Sequence, residues 1–219
     1  MMSLHEQHIA ILDKAAEYTD VDGLRILVPS GVYHPHEWSS TRFLLAALPD
    51  VQGLDVLEIG GGSGALALAI RKRGAARVVV TDISERACAA MECNALLNGV
   101  DIDARQGDLF SPLRDGELFD LVIFNLPLMD KSIDCQTEIA LCDPSGELLD
   151  RFLNGLPAIT NSALFTHASI SALLPLSAPG RIHSIAEMRR NQTEIFRVLW
   201  WQSSGRQQSS GRQPYGRQS

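Results

Sequence analysis

The sequence predicts an α/β fold built on a doubly wound, mostly parallel sheet. A buried apolar strand runs into the glycine turn 60–64 and then into a helix, which forms a nucleotide-binding strand–turn–helix unit. The β-branched run 77–82 and the apolar run 119–124 have the composition of further buried strands. Segments 182–188 and 194–201 are typical of a terminal antiparallel β-hairpin. The sheet is therefore predicted to be parallel at its centre and antiparallel at one edge.

The glycine turn allows two interpretations of the bound nucleotide. Gly60-x-Gly62-x-x-Ala65 fits a dinucleotide fingerprint, in which a pyrophosphate lies at the helix N-terminus. Glu58 followed by Gly60, Gly62 and Gly64 instead resembles motif I of the class I S-adenosylmethionine-dependent methyltransferases. A carboxylate next to a dianionic pyrophosphate is repulsive, whereas the ammonium and sulfonium groups of S-adenosylmethionine attract one. Glu58 therefore favours S-adenosylmethionine as the cofactor.

Acidic residues also follow the next two strands. Asp82 ends the run 77–82, where a carboxylate can accept hydrogen bonds from both ribose hydroxyls of an adenosine in either interpretation. Asp108 follows the alternating segment 100–104, where it can accept a hydrogen bond from the exocyclic amine of adenine while Leu109 covers the ring. The predicted cofactor site comprises Glu58, Gly60, Gly61, Gly62, Gly64, Asp82, Ile83, Asp108, Leu109 and Asn125.

The segment Asn125-Leu126-Pro127-Leu128 resembles the Asn-Pro-Pro-aromatic motif of the methyltransferase subgroup that methylates planar nitrogens. That subgroup includes release-factor glutamine amide methyltransferases, adenine amino-methyltransferases and some ribosomal RNA enzymes, and the resemblance spans about residues 54–128. It implies a catalytic role for the Asn125 side chain and the Leu126 carbonyl, which hold the N–H groups of the target. Leu126 replaces the first proline, and Leu128 replaces the aromatic residue that stacks on a flat substrate. A flat base is therefore less favoured as the acceptor.

Residues 31–45 resemble the segment that this subgroup places over the cofactor. Within it, Tyr33, His36 and Trp38 are candidates for contacts with the substrate. His34 and His36 are two residues apart, so they share one face of an extended strand, as metal ligands can. No further His or Cys lies nearby in the sequence, and no metal site is predicted.

The chain is predicted to have three parts. Residues 1–50 form an N-terminal helix, expected over 4–18, and the segment that covers the cofactor. Residues 51–202 form the S-adenosylmethionine-binding core of the methyltransferase. Residues 203–219 form a low-complexity tail rich in Ser, Gly, Arg and Gln, which cannot bury apolar surface and is predicted to be disordered. A short strand is also predicted over 24–28.

Charge and composition narrow the class of partner. The net charge is −7, and the last 17 residues carry three arginines and no acid, so the preceding 202 residues carry −10. An acidic body without a basic patch weighs against nucleic acid as the main substrate. The four cysteines match no zinc or redox spacing, and neither a signal peptide nor a membrane-spanning stretch is evident. We therefore expect a cytoplasmic protein with reduced cysteines and no membrane partner.

The sequence as a whole predicts a Rossmann-like fold with a seven-stranded sheet, as the resemblance implies, and methyltransferase activity. The expected reaction is methyl transfer from S-adenosylmethionine to a nitrogen or oxygen of a small molecule or a protein side chain. Three alternatives remain: a nucleic-acid base methyltransferase, a non-catalytic S-adenosylmethionine-binding partner subunit, and an NAD-dependent oxidoreductase. His167, at a predicted strand end, is a weak candidate for a general base. The acceptor, the choice between N- and O-methylation and the oligomeric state stay open.

Overall fold

The computed structural model describes residues 4–134, 136–175, 178–190 and 193–204. The helices are α1 (Leu4–Leu12), α2 (Ser40–Ala46), α3 (Ala65–Lys72), α4 (Glu85–Asn98) and α5 (Glu147–Ile159), with short 3-10 helices at Gln136–Ala140 and Pro144–Gly146. The strands are β1 (Glu17–Val21), β2 (Leu24–Val28), β3 (Asp55–Ile59), β4 (Arg77–Asp82), β5 (Asp103–Gln106), β6 (Leu121–Phe124), β7 (Ser162–Ala168), β8 (Arg181–Arg189) and β9 (Ile195–Gln202). Among these residues, no helix combines the length and apolar character needed to cross a bilayer.

Seven strands form one sheet in the order β5-β4-β3-β6-β7-β9-β8. The pairings among β5, β4, β3, β6 and β7 are parallel, and β9 pairs antiparallel with both β7 and β8. The fold prediction, a mostly parallel seven-stranded sheet with a C-terminal antiparallel hairpin, is confirmed. Chain order reverses at β3, which lies between β4 and β6, so the carboxyl ends of these three strands flank the crevice where doubly wound folds bind ligands.

Strand β3 shows why the centre of the sheet is buried on both faces. Side chains alternate along a strand, so Val56 and Glu58 point to one face while Leu57 and Ile59 point to the other. Val56 belongs to the apolar cluster that includes α3 and β2, whereas Leu57 and Ile59 pack in the cluster that contains Phe152 of α5. The same alternation places the carboxyl group of Glu58 on the α3 side of the sheet, inside the protein.

The predicted N-terminal helix over 4–18 is wrong in its second half. Helix α1 ends at Leu12, and Tyr18 lies in β1, which pairs antiparallel with β2 in a separate two-stranded sheet. The connection is Asp22-Gly23, and both residues have positive φ angles (57° and 70°). An Asp-Gly pair at positive φ favours a tight β-hairpin, and this turn signal outweighs the weak helical periodicity of the segment.

Smaller differences concern strand starts and the tail. The third core strand was predicted from Val100 but begins at Asp103, because the backbone N–H of Val100 still donates to Ala95 O of α4 (3.0 Å). The backbone N–H of Ser203 donates to Asn161 O (3.1 Å), so this first residue of the predicted tail is tied to the sheet end. The rest of the predicted tail, from 205 onward, lies outside the described residues.

Candidate active site

The glycine turn between β3 and α3 is held by backbone contacts to β4. The N–H groups of Gly60 and Gly61 both donate to Thr81 O (2.7 and 3.3 Å). A Cβ atom on Gly61 would lie 2.2 Å from Val80 Cγ1 and 2.5 Å from Met91 Sδ, so only glycine fits there. Gly62 has a φ of 56° and open space on the cleft side, with Val32 Cγ1 the nearest atom at 3.8 Å. The turn therefore presents bare backbone to the cleft.

A cleft of about 880 Å³ opens at the carboxyl ends of β3, β4 and β6. It is lined by every predicted cofactor residue except Gly64, which lies at the N-cap of α3. The predicted catalytic residues Asn125 and Leu126 also line it. The structure therefore brings together residues from four separate loops that the sequence analysis assigned to one site.

Asp82 connects the end of β4 to the glycine turn. Its Oδ2 accepts a hydrogen bond from the backbone N–H of Gly62 (2.9 Å), and its Oδ1 accepts one from that of Ser84 (2.8 Å). Burial raises the pKa of this carboxyl, and the two backbone bonds partly oppose the rise. Each carboxylate oxygen has a second lone pair. Asp82 therefore both holds the turn in place and keeps acceptor capacity at the cleft.

Glu58 is a buried acid whose carboxyl group is only partly hydrogen-bonded. Its side chain is 2% exposed, and within the described residues its Oε2 has no hydrogen-bond partner. Burial raises the pKa of Glu58 well above its usual range, a hydrogen bond from the backbone N–H of Ala67 opposes this, and the charge of Asp82 adds to the rise. An unsatisfied buried carboxyl beside a cleft fits a cationic ligand, because the ligand's charge would favour the ionised form.

The turn after β5 carries the next two predicted residues. Thr81 Oγ1 donates to Leu109 O (2.9 Å), and Leu109 has a φ of 48°, so the turn bends sharply against β4. The Asp108 carboxylate forms an ion pair with Arg151 of α5, a partner that sequence analysis missed. Ile83, just beyond β4, is 55% exposed at the cleft.

Asn125 follows β6 and is held from two sides. Its Nδ2 donates to Thr41 Oγ1 of α2 (3.0 Å), and its Oδ1 accepts from Thr166 Oγ1 of β7 (3.1 Å). Thr166 is Asn125's neighbour across the sheet, because Phe124 pairs with Phe165 in register. The orientation of this carboxamide is therefore set by two elements that are distant in sequence.

The segment after Asn125 lines the far end of the cleft with aliphatic side chains. Leu128 lies in this segment, and its carbonyl accepts a hydrogen bond from Ser171 Oγ (2.8 Å). The aliphatic residues in this part of the lining are Leu126, Leu128, Met129, Ile133, Ile139 and Leu141. Within the described lining, Tyr33 and Phe124 are the aromatic residues, and no histidine is present. The cleft beyond the glycine turn is therefore largely an aliphatic slot.

The three predicted substrate residues lie in different places. Tyr33 lines the cleft, and burial raises the pKa of its hydroxyl although it hydrogen-bonds to Ser40. His36 and Trp38 lie outside the described lining, and Trp38 is 76% exposed. His34 Nε2 lies 3.0 Å from Glu17 Oε1, which opposes the lowering of its pKa by burial. Among the described residues, no group of three or more His, Cys, Asp or Glu side chains is arranged to hold a metal.

His167 also lies outside the described lining of the cleft. Its Nε2 hydrogen-bonds to Ala172 O at 3.0 Å, and burial lowers the pKa of the ring. Because a carbonyl oxygen only accepts, Nε2 carries the proton in this contact. The position is that of a satisfied structural histidine.

Asn94 was not predicted from the sequence, and it holds the glycine turn in place from the side away from the cleft. This fully buried residue of α4 donates through Nδ2 to Leu27 O and Ser63 O, both at 2.8 Å, and accepts from the backbone N–H of Leu27 at 2.8 Å. It therefore joins the glycine turn to β2. The sequence contains one indication of this role: Asn94 is a polar residue on the same helix face as Ala87 and Met91, which is buried.

Comparison with known proteins assigns the chain to a family. The family described as "Methyltransferase small domain" matches residues 23–150. A Methanocaldococcus jannaschii protein named "Putative protein N5-glutamine methyltransferase" is 36% identical over 144 residues, covering 63% of this chain and 71% of that protein. The ribosomal protein L11 methyltransferase of Caldicellulosiruptor bescii is 46% identical over 74 residues, which cover 34% of this chain and only 24% of that enzyme.

Solved structures agree on the fold. The L11 methylase of Lactobacillus delbrueckii subsp. bulgaricus superposes with a TM-score of 0.58 at 26% identity, covering 80% of this chain and 84% of that one. The T. thermophilus 16S rRNA N2 G1207 methyltransferase has a TM-score of 0.65 at 20% identity, covering 86% and 50%. With the glycine turn, the acids that follow it and the Asn125 segment in one cleft, the chain belongs to the methyltransferase small domain family and is an S-adenosylmethionine-dependent methyltransferase.

Proposed function

We propose that this enzyme methylates the amide nitrogen of a protein side chain. The observation that carries the proposal is the carboxamide of Asn125, held by Thr41 and Thr166 at the carboxyl end of β6 and next to an aliphatic slot. The segment that begins at Asn125 resembles the Asn-Pro-Pro-aromatic motif of enzymes that methylate planar nitrogens, although Leu126 and Leu128 depart from it. The name of the M. jannaschii relative, with its glutamine N5 acceptor, supports the same class of substrate.

The predicted cofactor residues that line the cleft are proposed to keep their roles, except Asn125, which is proposed to serve the acceptor. S-adenosylmethionine, when bound, supplies a methyl group that its sulfonium has already activated. Glu58 attracts the cationic methionine end, and Asp82 accepts hydrogen bonds from the ribose. Asp108 accepts from the adenine amine, and Ile83 and Leu109 supply the apolar contacts to the ring. The backbone of the glycine turn allows the ligand to approach closely.

For the acceptor, Asn125 and Leu126 do the positioning. The side-chain oxygen of Asn125 and the carbonyl of Leu126 accept the two N–H bonds of a primary amide, which orients its nitrogen and stabilises the positive charge that develops there. An aliphatic amine would have to lose a proton first, and no histidine lies in the described lining to take it. A neutral amide needs no prior deprotonation: its nitrogen would take the methyl group from the sulfonium, which keeps the electron pair of the broken bond as a thioether, and would then release one of its two N–H protons to solvent in the cleft.

The aliphatic slot favours a protein side chain over a flat base. The methylene groups of a glutamine side chain pack against leucine and isoleucine, whereas a base gains most from an aromatic face. Leu128 offers no such face at the motif position. Tyr33 is the observation that favours the second candidate, base methylation, because its ring lines the cleft.

Methyl transfer from tritiated S-adenosylmethionine tests the proposal. The purified enzyme is offered a peptide array containing glutamine and asparagine, the same array with glutamate and aspartate replacing the amides, and total cellular RNA. We expect label on amide-containing peptides alone, with a mass increase of one methyl group on the side-chain nitrogen. Label on RNA, or equal label on the carboxylate peptides, contradicts the proposal.

Asn125→Ala is the matched variant. We expect it to reduce kcat by about two orders of magnitude, because removing one oriented donor or acceptor costs roughly 10²–10³ in rate. The dissociation constant for S-adenosylmethionine, measured by calorimetry, should change by less than about twofold, since a transition-state contact does not contribute to ground-state cofactor binding. Equal losses in both quantities would assign Asn125 to the cofactor site instead.

A further inference from the structure

Thr41, Asn125 and Thr166 form a buried polar chain that crosses the molecule at the acceptor end of the cleft. Thr41 lies in the first turn of α2 and is 8% exposed, and Thr166 lies in β7 and is 2% exposed. The two hydroxyls contact opposite ends of one carboxamide, at 3.0 and 3.1 Å. Both threonines belong to regular elements, so they are held more rigidly than a loop residue.

A carboxamide needs such restraint to act as an acceptor. Its oxygen and its NH2 group have nearly the same size and shape, and rotation about χ2 exchanges them. With the oxygen toward the cleft, Asn125 accepts an N–H from a primary amide. With the NH2 group there, it opposes one donor with another, and the interaction becomes repulsive. Catalysis through Asn125 therefore requires one of two nearly isosteric orientations.

We propose that Thr41 and Thr166 are positioning residues that hold the Asn125 carboxamide with its oxygen available to the acceptor amide. Thr41 accepts from Nδ2 and fixes the donor end against α2. Thr166 donates to Oδ1 and uses one of its two lone pairs, which leaves the second lone pair for the substrate. The inference rests on the proposed function, because it concerns the group that receives the acceptor.

The chain also makes the acceptor site depend on the docking of α2. Thr41 belongs to the segment 31–45 that borders the cleft, and its sequence separation from Asn125 is 84 residues. Each threonine hydroxyl can donate or accept, so either one alone bonds to whichever end of the carboxamide faces it. In the structure Nδ2 faces Thr41 of α2 and Oδ1 faces Thr166 of β7, and the two contacts together restrain rotation of the group. The carboxamide is therefore held at both ends only when α2 lies against the sheet.

Side-chain NMR of the full-length protein tests the orientation directly and requires no acceptor. The chain has six asparagines, so 15N-asparagine labelling gives few NH2 signals, and Asn125→Asp identifies the one of interest. We expect one Asn125 NH2 proton to be protected from exchange in the wild type and in Thr166→Val, and to lose that protection in Thr41→Val. Loss of protection in Thr166→Val with retention in Thr41→Val would mean the opposite orientation and would overturn the proposal.

Kinetics with the blocked tripeptide acetyl-Ala-Gln-Ala-amide provide the second readout. We expect Thr166→Val and Thr41→Val each to lower kcat about tenfold or more, since misplacement of a catalytic contact by about 1 Å can reduce the rate by up to 10². The cofactor dissociation constant should stay within about twofold of the wild-type value. Thr166→Ser and Thr41→Ser keep the hydroxyl and should recover most of kcat, which also separates the effect from a folding defect.

The outcomes for this inference differ from those for the proposed function. If the valine variants keep the wild-type kcat on the glutamine tripeptide, the threonines do not position Asn125 and the inference fails while amide methylation stands. If the wild type labels RNA and no amide, the proposed function fails, and the NMR result alone then reports whether the carboxamide is held as described. A protected NH2 proton that no variant affects also overturns the inference.

Discussion

Two glutamates at opposite ends of the central sheet, the half-buried Glu117 and the buried Glu58, have opposite environments. Glu117, just before β6, accepts hydrogen bonds from the guanidinium groups of Arg77 (2.6 Å) and Arg105 (2.7 and 3.0 Å), which lower its pKa to about 2. Among the described residues, Glu58 Oε2 at the other end has no hydrogen-bond partner, and burial raises the pKa of Glu58 well above the usual range. The charges at the amino ends of the strands are paired, whereas a buried carboxyl at the carboxyl ends keeps one oxygen without a hydrogen bond in the described part of the chain.

The network around Glu117 ties neighbouring strands together. Arg77 at the start of β4 also bonds to Asp55 at the start of β3, and Arg105 of β5 bonds to Asp103. Arg77 further stacks on the Phe119 ring at 4.8 Å. Ion pairs that are partly buried and fully hydrogen-bonded stabilise a fold only while every partner is present, because a partner left alone is a desolvated charge.

The largest expected effect is on stability, at the compensated end. Glu117→Gln should lower the free energy of unfolding by about 2 kcal/mol, because two arginines then lose a half-buried, hydrogen-bonded counter-charge. Urea titration monitored by tryptophan fluorescence measures it. Cofactor affinity should stay unchanged, since the network is at the far end of the sheet. The matched control is Glu187→Gln, which breaks an exposed pair with Arg197 and should change stability by less than about 1 kcal/mol. Similar losses of stability in Glu117→Gln and Glu187→Gln would contradict the prediction that the network around Glu117 contributes more than a surface ion pair.

At the ligand end, Asp82→Ala should mainly affect binding. We expect the dissociation constant for S-adenosylmethionine to rise about tenfold or more, because the ribose hydroxyls and the Gly62 N–H lose a charged acceptor. Isothermal titration calorimetry measures the change. Asp101→Ala, at an exposed acid just before β5, is the control and should bind normally. An unchanged dissociation constant for Asp82→Ala would remove Asp82 from the cofactor site.

Glu58→Gln should separate stability from binding. Without ligand at pH 7.5, the variant should be more stable than the wild type by about 1 kcal/mol, because it no longer carries a desolvated carboxyl. The pKa of Glu58 is higher in the folded protein than in the unfolded chain. Its contribution to the stability of the wild type is therefore fully present below a pH of about 4.5 and is lost as the pH rises through the pKa of the folded state. The advantage of the variant should therefore grow with pH, while its affinity for S-adenosylmethionine falls about tenfold. A variant less stable than the wild type would mean that favourable contacts of the Glu58 carboxyl offset the cost of its burial, and it would contradict the prediction.

The smallest effect concerns the histidines beside the cleft. Burial lowers the folded pKa of His36, and His34 and Arg190 lower it further. Below about 6.5 the unfolded chain therefore binds more protons than the native state, and stability falls as the pH falls. Between pH 7.5 and 5.5, His36→Gln should lose less stability than the wild type, by about 0.5–1 kcal/mol. Thermal unfolding at several pH values measures it, with His183→Gln on the exposed strand β8 as the control. Equal pH slopes for the wild type and His36→Gln would contradict the prediction.

The sequence predicted the sheet core and the loops of the cleft well, because these depend on local pattern. An apolar strand that is followed by the glycines at 60–64, or by Asp82, can be recognised from fewer than about ten consecutive residues. Prediction was poorer where local signals conflict. The Asp22-Gly23 turn outweighs the weak helical pattern of its segment. Trp38 was predicted to contact the substrate, but it is 76% exposed and does not belong to the described lining of the cleft.

What the sequence alone determined is the doubly wound, parallel character of the nucleotide-binding half and the type of residue at each strand end. Parallel strands joined by right-handed crossovers bring their carboxyl ends to one edge, so Glu58, Asp82 and Asn125 converge without any knowledge of packing. Only the tertiary structure decided which side chains oppose them. Thr41 hydrogen-bonds to Asn125 across 84 residues of sequence, and Arg151 pairs with Asp108 across 43. Glu58 Oε2 has no hydrogen-bond partner among the residues that the structure describes. The periodicity of the sequence predicts the helices and strands, whereas the partner of a buried polar group depends on how elements that are distant in sequence pack together.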